Sequence, residues 1–207
     1  TGYKEFWKSS FKVDKNVLIP RPDTETIIEQ VLKELDNYSS KKILDIGTGS
    51  GCILISILNE RKKCSGVGID ISKNAVKLAK YNAKIQHIDN RIKFLNSDID
   101  NFCAGKYDLI ISNPPYIKQH KINSLEKDIK NHEPRVALDG GVDGYSRIRL
   151  IIKKSSTLIK KRGKLFLELG VNQVRETFKI LNLNGFHRTM VTRDLAGKNR
   201  CLTSTKI

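Results

Sequence analysis

Tryptophan and methionine occur once each in these 207 residues, proline five times, and Phe, Trp and Tyr together make up 7%. A single Trp is little material for the aromatic channel that an extruded nucleobase needs. The four cysteines, Cys52, Cys64, Cys103 and Cys201, include no C-x-x-C pair. None of the four histidines, His87, His120, His132 and His187, stands at zinc-ligand spacing from another ligand. A disulfide scaffold and a zinc motif are therefore excluded, and no metal is expected. Isolated cysteines of this kind imply reduced thiols in a cytosol-like compartment. No apolar run approaches the ~18 residues of a membrane helix. No signal peptide is visible, and internal repeats and low-complexity tracts are missing. The chain opens on Thr1 and not on Met, from which the expectation is a fragment of a longer protein.

Hydrophobic residues at 39% and charged residues at 29% make the composition of a globular domain. Lys and Arg number 38 against 22 Asp and Glu, a net charge of +16. The lysines come in pairs at element ends, such as Lys41-Lys42 and Lys160-Lys161, and not as one block. Two readings stay open: a surface facing nucleic acid or the ribosome, or lysines dispersed over solvated faces.

Periodicity predicts a β-hairpin over residues 5–19, stopped by Pro20-Arg21-Pro22. A helix follows, capped by Asp23 or Thr24, with Ile27, Ile28, Val31, Leu32 and Leu35 inward. Strands then alternate with helices. Strands are expected at 42–46, 66–69, 91–95, 107–112 and 164–169, with two more near 186–193 and 200–204. Helices are expected at 52–58, after the capping Ser72, at 148–159 and at 171–183. This alternation implies an α/β, Rossmann-like fold: a mostly parallel seven-stranded sheet with an antiparallel C-terminal edge hairpin, preceded by a β-hairpin and helix.

Gly47-Thr48-Gly49-Ser50-Gly51 lies between a predicted strand and a helix, just after Asp45. Glycines let the backbone turn sharply and approach a ligand closely. Asp70 ends the next strand, where a carboxylate can accept from both ribose hydroxyls of a nucleoside. A dinucleotide site needs G-x-G-x-x-G, and Cys52 stands at its sixth position, so that pattern fails. G-x-G-x-G behind an acidic residue suits S-adenosylmethionine, whose ammonium and sulfonium centres are cationic. The alternative is a tight turn without a ligand. Asp45 is read as orienting the glycine loop.

Asn113-Pro114-Pro115-Tyr116 follows the fourth strand, at the carboxyl edge where α/β sheets bind ligands. The prolines fix the backbone. The Asn113 side-chain carbonyl and the Pro114 carbonyl can accept both hydrogens of a planar NH₂ group, with Tyr116 against the flat substrate. Such a nitrogen is a poor nucleophile, and holding both N–H bonds aligns it with a methyl donor. The alternative is a proline-rich strand terminator. Residues 117–144 form a polar loop, long enough to be functional.

On these residues the chain resembles a class I S-adenosylmethionine-dependent methyltransferase, and more narrowly the release factor glutamine methyltransferases (HemK/PrmC type). The segments are EFWKSSFKV (5–13), VLIPRPDTE (17–25), ILDIGTGSG (43–51), GIDIS (68–72), SNPPYI (112–117), EPRVALDGGVDG (133–144), LELG (167–170) and DLAGKNR (194–200). They cover nearly the whole chain. The resemblance implies cofactor contacts at Gly47, Thr48, Gly49, Ser50, Gly51, Asp70, Ile99 and Asn113. It puts a catalytic substrate clamp at Asn113, Pro114, Pro115 and Tyr116. Ile99 stands where some relatives carry an aromatic residue. Arg21 and Glu25 either line the mouth of the site or fix a helix start. Glu133 and Arg135, in the long loop, are read as part of a substrate-facing lid.

The implied reaction moves a methyl group to the side-chain amide nitrogen of the glutamine in the GGQ motif of class 1 peptide chain release factors, in the cytoplasm. Residues 1–38 are expected to precede a catalytic core at 39–207. The family's small helical N-terminal domain, which helps grip the release factor, is not in this sequence. Alternatives are methylation of a ribosomal-protein glutamine or of an adenine or guanine exocyclic amine. A non-catalytic binding module is disfavoured by the intact Asn113 and Asp70. No membrane partner is expected, and contact with nucleic acid is allowed by the charge but not required.

Overall fold

The computed structural model describes residues 2–125 and 133–207. An antiparallel hairpin, β1 (Tyr3–Phe6) and β2 (Ser9–Lys12), leads through a 3₁₀ turn at Pro22–Thr24 into α1 (Glu25–Glu34). There follow β3 (Lys42–Ile46), α2 (Cys52–Glu60), β4 (Ser65–Asp70), α3 (Lys73–Ile85), β5 (Ile92–Asn96) and β6 (Tyr107–Ser112). The one-turn α4 (Gln119–Ile122) and a second 3₁₀ turn at Arg135–Ala137 lie in the long loop. α5 (Ser146–Leu158), β7 (Ile159–Glu168), α6 (Val174–Leu183), β8 (Phe186–Arg193) and β9 (Asn199–Lys206) complete the described chain.

Seven strands make one sheet in the order β5-β4-β3-β6-β7-β9-β8. The first five are parallel, and β9 runs antiparallel to both β7 and β8, as the sequence pattern predicts. Successive side chains of a strand leave on opposite faces. Ile43, Leu109, Ile111 and Phe166 therefore pack toward α1, α2, α3 and the hairpin's Phe6 and Phe11. Leu44, Ile110, Leu165 and Leu167 pack toward α5 and α6. The hairpin and α1 thus share one core with the sheet.

Some boundaries differ from expectation. The hairpin ends at Lys12, turning at Trp7 with φ 55°, so Val17-Leu18-Ile19 is not a strand; Val17 instead packs on Ala75 and Leu78 of α3. β7 begins at Ile159, directly after α5, because Ile159 already pairs with Tyr107 and residues 160–163 bulge out before pairing resumes at Lys164. α6 starts at Val174 and not 171, because the Gly170 N–H bonds the Gln173 side chain and holds a turn there. Ser72 caps α3 as expected, its Oγ accepting from the Ala75 N–H at 3.2 Å.

The chain runs outward from β3 through β4 to β5, then returns to β6 on the other side of β3. The loops leaving β3 and β6 therefore diverge, and a crevice opens at the carboxyl edge between them. Ile46 and Ser112, the last residues of those strands, are partners in register.

Candidate functional site

That crevice is a cleft enclosing about 1160 Å³, its open mouth included, and its wall contains Arg21, Thr24, Gly47, Thr48, Gly49, Ser50, Asp70, Ile99, Asn113, Pro114 and Pro115. Gly47 and Gly49 adopt φ of 74° and 55°, backbone that L side chains rarely take, and nothing lies within 4 Å of where a Cβ would point. The loop thus presents bare backbone to open space. Gly51 plays another part: it is left-handed at the start of α2, and a Cβ there would meet Ile55 and Phe94 at 3.0 Å.

Asp70 sits where β4 ends. One carboxyl oxygen accepts from the Gly49 N–H and the other from the Ser72 N–H, both at 2.9 Å. Each oxygen keeps a further lone pair for a ligand diol. Burial raises its pKa, against those two bonds. Asp45 lies beneath the loop and outside the cleft wall. Its Oδ2 accepts from the Thr48 hydroxyl at 2.7 Å, and burial lifts its carboxyl to about 7. The sequence reading of Asp45 as a loop-orienting group agrees with that contact.

Asn113 follows β6. Its Nδ2 donates to the Thr24 hydroxyl at 3.3 Å, and its Oδ1 takes no hydrogen bond from the described residues. A side-chain carbonyl is therefore available on the cleft wall. Tyr116 takes a different position from the one expected. It is not part of the wall; its ring lies against Gly170, where a Cβ would come within 2.9 Å of it, and burial pushes its phenol to about 12.

The RPDTE segment is anchored at each polar residue. Arg21 donates to both carboxyl oxygens of Glu133 at 3.2 and 3.0 Å. Asp23 pairs with Arg200, which also binds Asp194. Glu25 accepts from the Trp7 N–H at 2.7 Å, so it fixes the hairpin turn and does not reach the cleft. Glu133 stands behind the wall while its neighbours Pro134, Val136 and Ala137 line it. Arg135 faces the other way, toward Asp139 at 3.8 Å and a shallower surface hollow. The glycines after it back the NPPY segment: a Cβ at Gly140 or Gly144 would strike the Tyr116 backbone at 2.9 or 2.8 Å.

Three buried polar residues were not singled out by sequence reasoning. Asn82 bonds the Ser50 carbonyl and both backbone groups of Lys12, joining the glycine loop to the hairpin. Its signal was a lone amide on the small-residue face of α3. Gln173 holds the Tyr116 and Gly144 carbonyls. Glu168, 2% exposed, ends β7; an acid at an inward position of a buried strand was its signal. His87, His120 and His187 are exposed, and His132 lies outside the described residues. No metal-holding cluster occurs among the described residues.

The "Methyltransferase small domain" family model matches residues 23–182. A release factor glutamine methyltransferase of Rhodospirillum rubrum is 38% identical over 99% of the chain and 63% of its own length. One of Caulobacter vibrioides is 36% identical over 99% of the chain and 71% of its own length. The chain thus spans about two thirds of these longer relatives. In fold it is similar to a methyltransferase of Pyrococcus furiosus, with a TM-score of 0.70 at 15% identity, covering 95% of this chain and 88% of that one. Likeness at over a third of positions, carried almost from end to end, decides the matter: the chain belongs to the release factor glutamine methyltransferase family, within the methyltransferase small domain group.

Proposed function

We propose that the protein transfers a methyl group from S-adenosylmethionine to the side-chain amide nitrogen of the GGQ glutamine of class 1 peptide chain release factors, in the cytoplasm. The observation that carries this reading is Asn113, whose Oδ1 takes no hydrogen bond from the described residues, on the wall of the cleft that also holds Asp70. Among the described residues no helix is long and apolar enough to cross a membrane. Residues 39–207 are read as the catalytic core and 1–38 as the segment framing its mouth.

S-adenosylmethionine, when bound, supplies a methyl group on a cationic sulfonium. The residues present fit it: Asp70 would accept from the ribose diol, the bare backbone of Gly47 and Gly49 would admit the amino acid end, and Ile99, on the same wall, would offer an apolar surface to the base. Asn113 Oδ1 and the Pro114 carbonyl hold the two N–H bonds of the glutamine amide. That grip fixes the nitrogen and disperses charge as attack begins. The amide proton leaves to water afterwards, so no strong base is needed beforehand.

Peptide mass spectrometry tests the reading. The protein is incubated with labelled S-adenosylmethionine and a class 1 release factor, and separately with bulk tRNA and DNA. One methyl group on the GGQ glutamine is expected. Label in nucleic acid, which the +16 charge would favour, overturns the substrate while keeping the cofactor.

A further inference from the structure

The net charge of +16 is not spread evenly over the fold. Strands β4, β3, β6 and β7 are parallel neighbours, so their first residues lie in a row along the amino edge of the sheet. The helices α1, α2 and α5, each of which leads into one of these strands, end at the same edge. Segments 33–42, 60–65, 104–108 and 153–164 make up this edge. Their 33 residues hold 13 Lys and Arg against four Asp and Glu, more than half of the positive surplus of the whole chain. Five residues of β3 set the edge about 16 Å from the cleft.

The row is continuous. The Lys42 N–H and the Lys160 ammonium both bind the Asp108 carboxylate, at 2.9 and 3.0 Å, which joins the starts of β3, β6 and β7. The Ser65 N–H donates to the Lys41 carbonyl at 3.0 Å and joins the start of β4. Helix carboxyl ends attract cations, and some of these residues serve that purpose. Arg61 holds the Leu32 and Leu35 carbonyls, and Lys106 that of Thr157. Lys41, Lys62, Lys153, Lys161 and Arg162 are exposed, and among the described residues their side chains have neither an ion pair nor a hydrogen bond. Lys161 and Arg162 stand on the bulge that leaves the ladder between Ile159 and Lys164, with Arg162 at φ 65°.

An aromatic ring lies open at one end of the row. Tyr38 is 79% exposed, and the Lys63 ammonium lies 5.2 Å from the centre of its ring. Cations in a row beside an open ring suit a phosphate chain with a base free to stack. An acidic protein would use the charges and leave the ring idle. Unpaired bases beside phosphates are the ordinary state of RNA loops. We propose that this edge is a docking surface for single-stranded RNA, with phosphates on the row of cations and a base stacked on Tyr38. The inference goes beyond methyl transfer: such an RNA is neither substrate nor cofactor, and the cleft stays open at the other edge.

Fluorescence anisotropy of a labelled oligouridine about 12 nucleotides long tests the surface on the full chain. Binding is expected at about 0.1 M salt. Lys41→Gln, Lys161→Gln and Arg162→Gln together should weaken it about tenfold or more. They should also reduce the slope of log affinity on log salt by about 2, at roughly 0.7 per phosphate for a single strand. Tyr38→Ala should weaken binding about fivefold or more with the slope unchanged. Lys4→Gln, Lys77→Gln and Lys80→Gln remove the same charge from the hairpin and α3, and should leave affinity within about twofold. Absence of binding at that salt, or equal losses in the two triple variants, would overturn the proposal. So would displacement of the RNA by polyglutamate as readily as by unlabelled oligouridine, which would assign the edge to an acidic protein. The readout needs no turnover, so it stands whatever the fate of the methyl-transfer reading.

Discussion

The Ser112 hydroxyl donates to the Ile46 carbonyl at 2.7 Å, joining the last residue of β6 to the last of β3. Both strands are fully buried at this point, and each is followed at once by a proposed site loop: Gly47 after Ile46, Asn113 after Ser112. Added to the ladder pairing of the two strands, this bond ties the origin of the proposed cofactor loop to that of the proposed clamp. Ser112→Ala removes the bond and leaves a buried carbonyl short of a partner, at a cost of about 1–3 kcal/mol. A fall in Tm of roughly 2–10 °C is expected by calorimetry. Turnover should fall further than S-adenosylmethionine affinity, because Asn113 follows Ser112 directly while Asp70 does not depend on it. Equal losses in both would mean that the bond serves stability alone.

Asp70 and Asn113 share the cleft but are expected to fail differently. Asp70→Ala removes an acceptor for the ribose and releases the Gly49 and Ser72 N–H groups it holds. Hydrogen bonds to an ionised group are worth about 1.5–3 kcal/mol, so S-adenosylmethionine should bind roughly 10- to 150-fold more weakly. Asn113→Ala should abolish turnover and leave that affinity within about tenfold, since the amide faces the substrate side. Isothermal titration against single-turnover kinetics separates the two; turnover intact in Asn113→Ala would sink the clamp.

Much of the fold could be read from residue order because β3, β4, β6 and the second half of β7 each carry a short apolar run and the longer helices an apolar stripe. Asp70 and Asn113 were legible for the same reason: one ends and the other follows such a strand, and strand ends define the sheet's carboxyl edge. What escaped reading is long-range pairing. Nothing near Arg21 announces Glu133, 112 positions on, and nothing near Asp23 announces Arg200. The early end of the hairpin was hidden too, since Val17-Leu18-Ile19 has the composition of a strand and only its packing on α3 shows otherwise. Tyr116 looked like a platform for a flat substrate, and the missing side chain of Gly170 instead gives its ring a place outside the wall.

The Arg21–Glu133 pair ties the start of α1 to the loop that roofs the cleft. The Glu133 side chain is 5% exposed and Arg21 41%. With one partner so open to water, the coupling is expected to be modest, about 0.5–1.5 kcal/mol in a double-mutant cycle of Arg21→Ala and Glu133→Gln followed by thermal unfolding. Arg21→Lys should recover little, because a single ammonium cannot reproduce a guanidinium held against both carboxyl oxygens. If the pair holds the roof over the substrate, Arg21→Ala should raise the KM for the release factor with kcat nearly unchanged. A drop in kcat at unchanged KM would assign the pair to catalysis instead.

Asp45 makes a pH prediction whose sign follows from linkage. Its carboxyl titrates at 3.8 when unfolded and about 7 when folded, raised by burial and opposed by the Thr48 hydroxyl. Below pH 4 both states are protonated and stability is at its highest. Between 4 and 7 the folded chain binds more protons than the unfolded one, so stability declines as pH rises. The loss is complete above 7 and amounts to at most about 4 kcal/mol. Asp45→Asn keeps an acceptor for Thr48 but cannot ionise. Its Tm should therefore vary less between pH 5 and 8 than that of the parent chain, and exceed it most at the alkaline end. Glu168, which also titrates near 7 when folded, leaves a residual slope in that variant. Scanning calorimetry across the range reads the difference directly, and parallel Tm curves for the two proteins would mean that Asp45 is already ionised in the folded state at low pH.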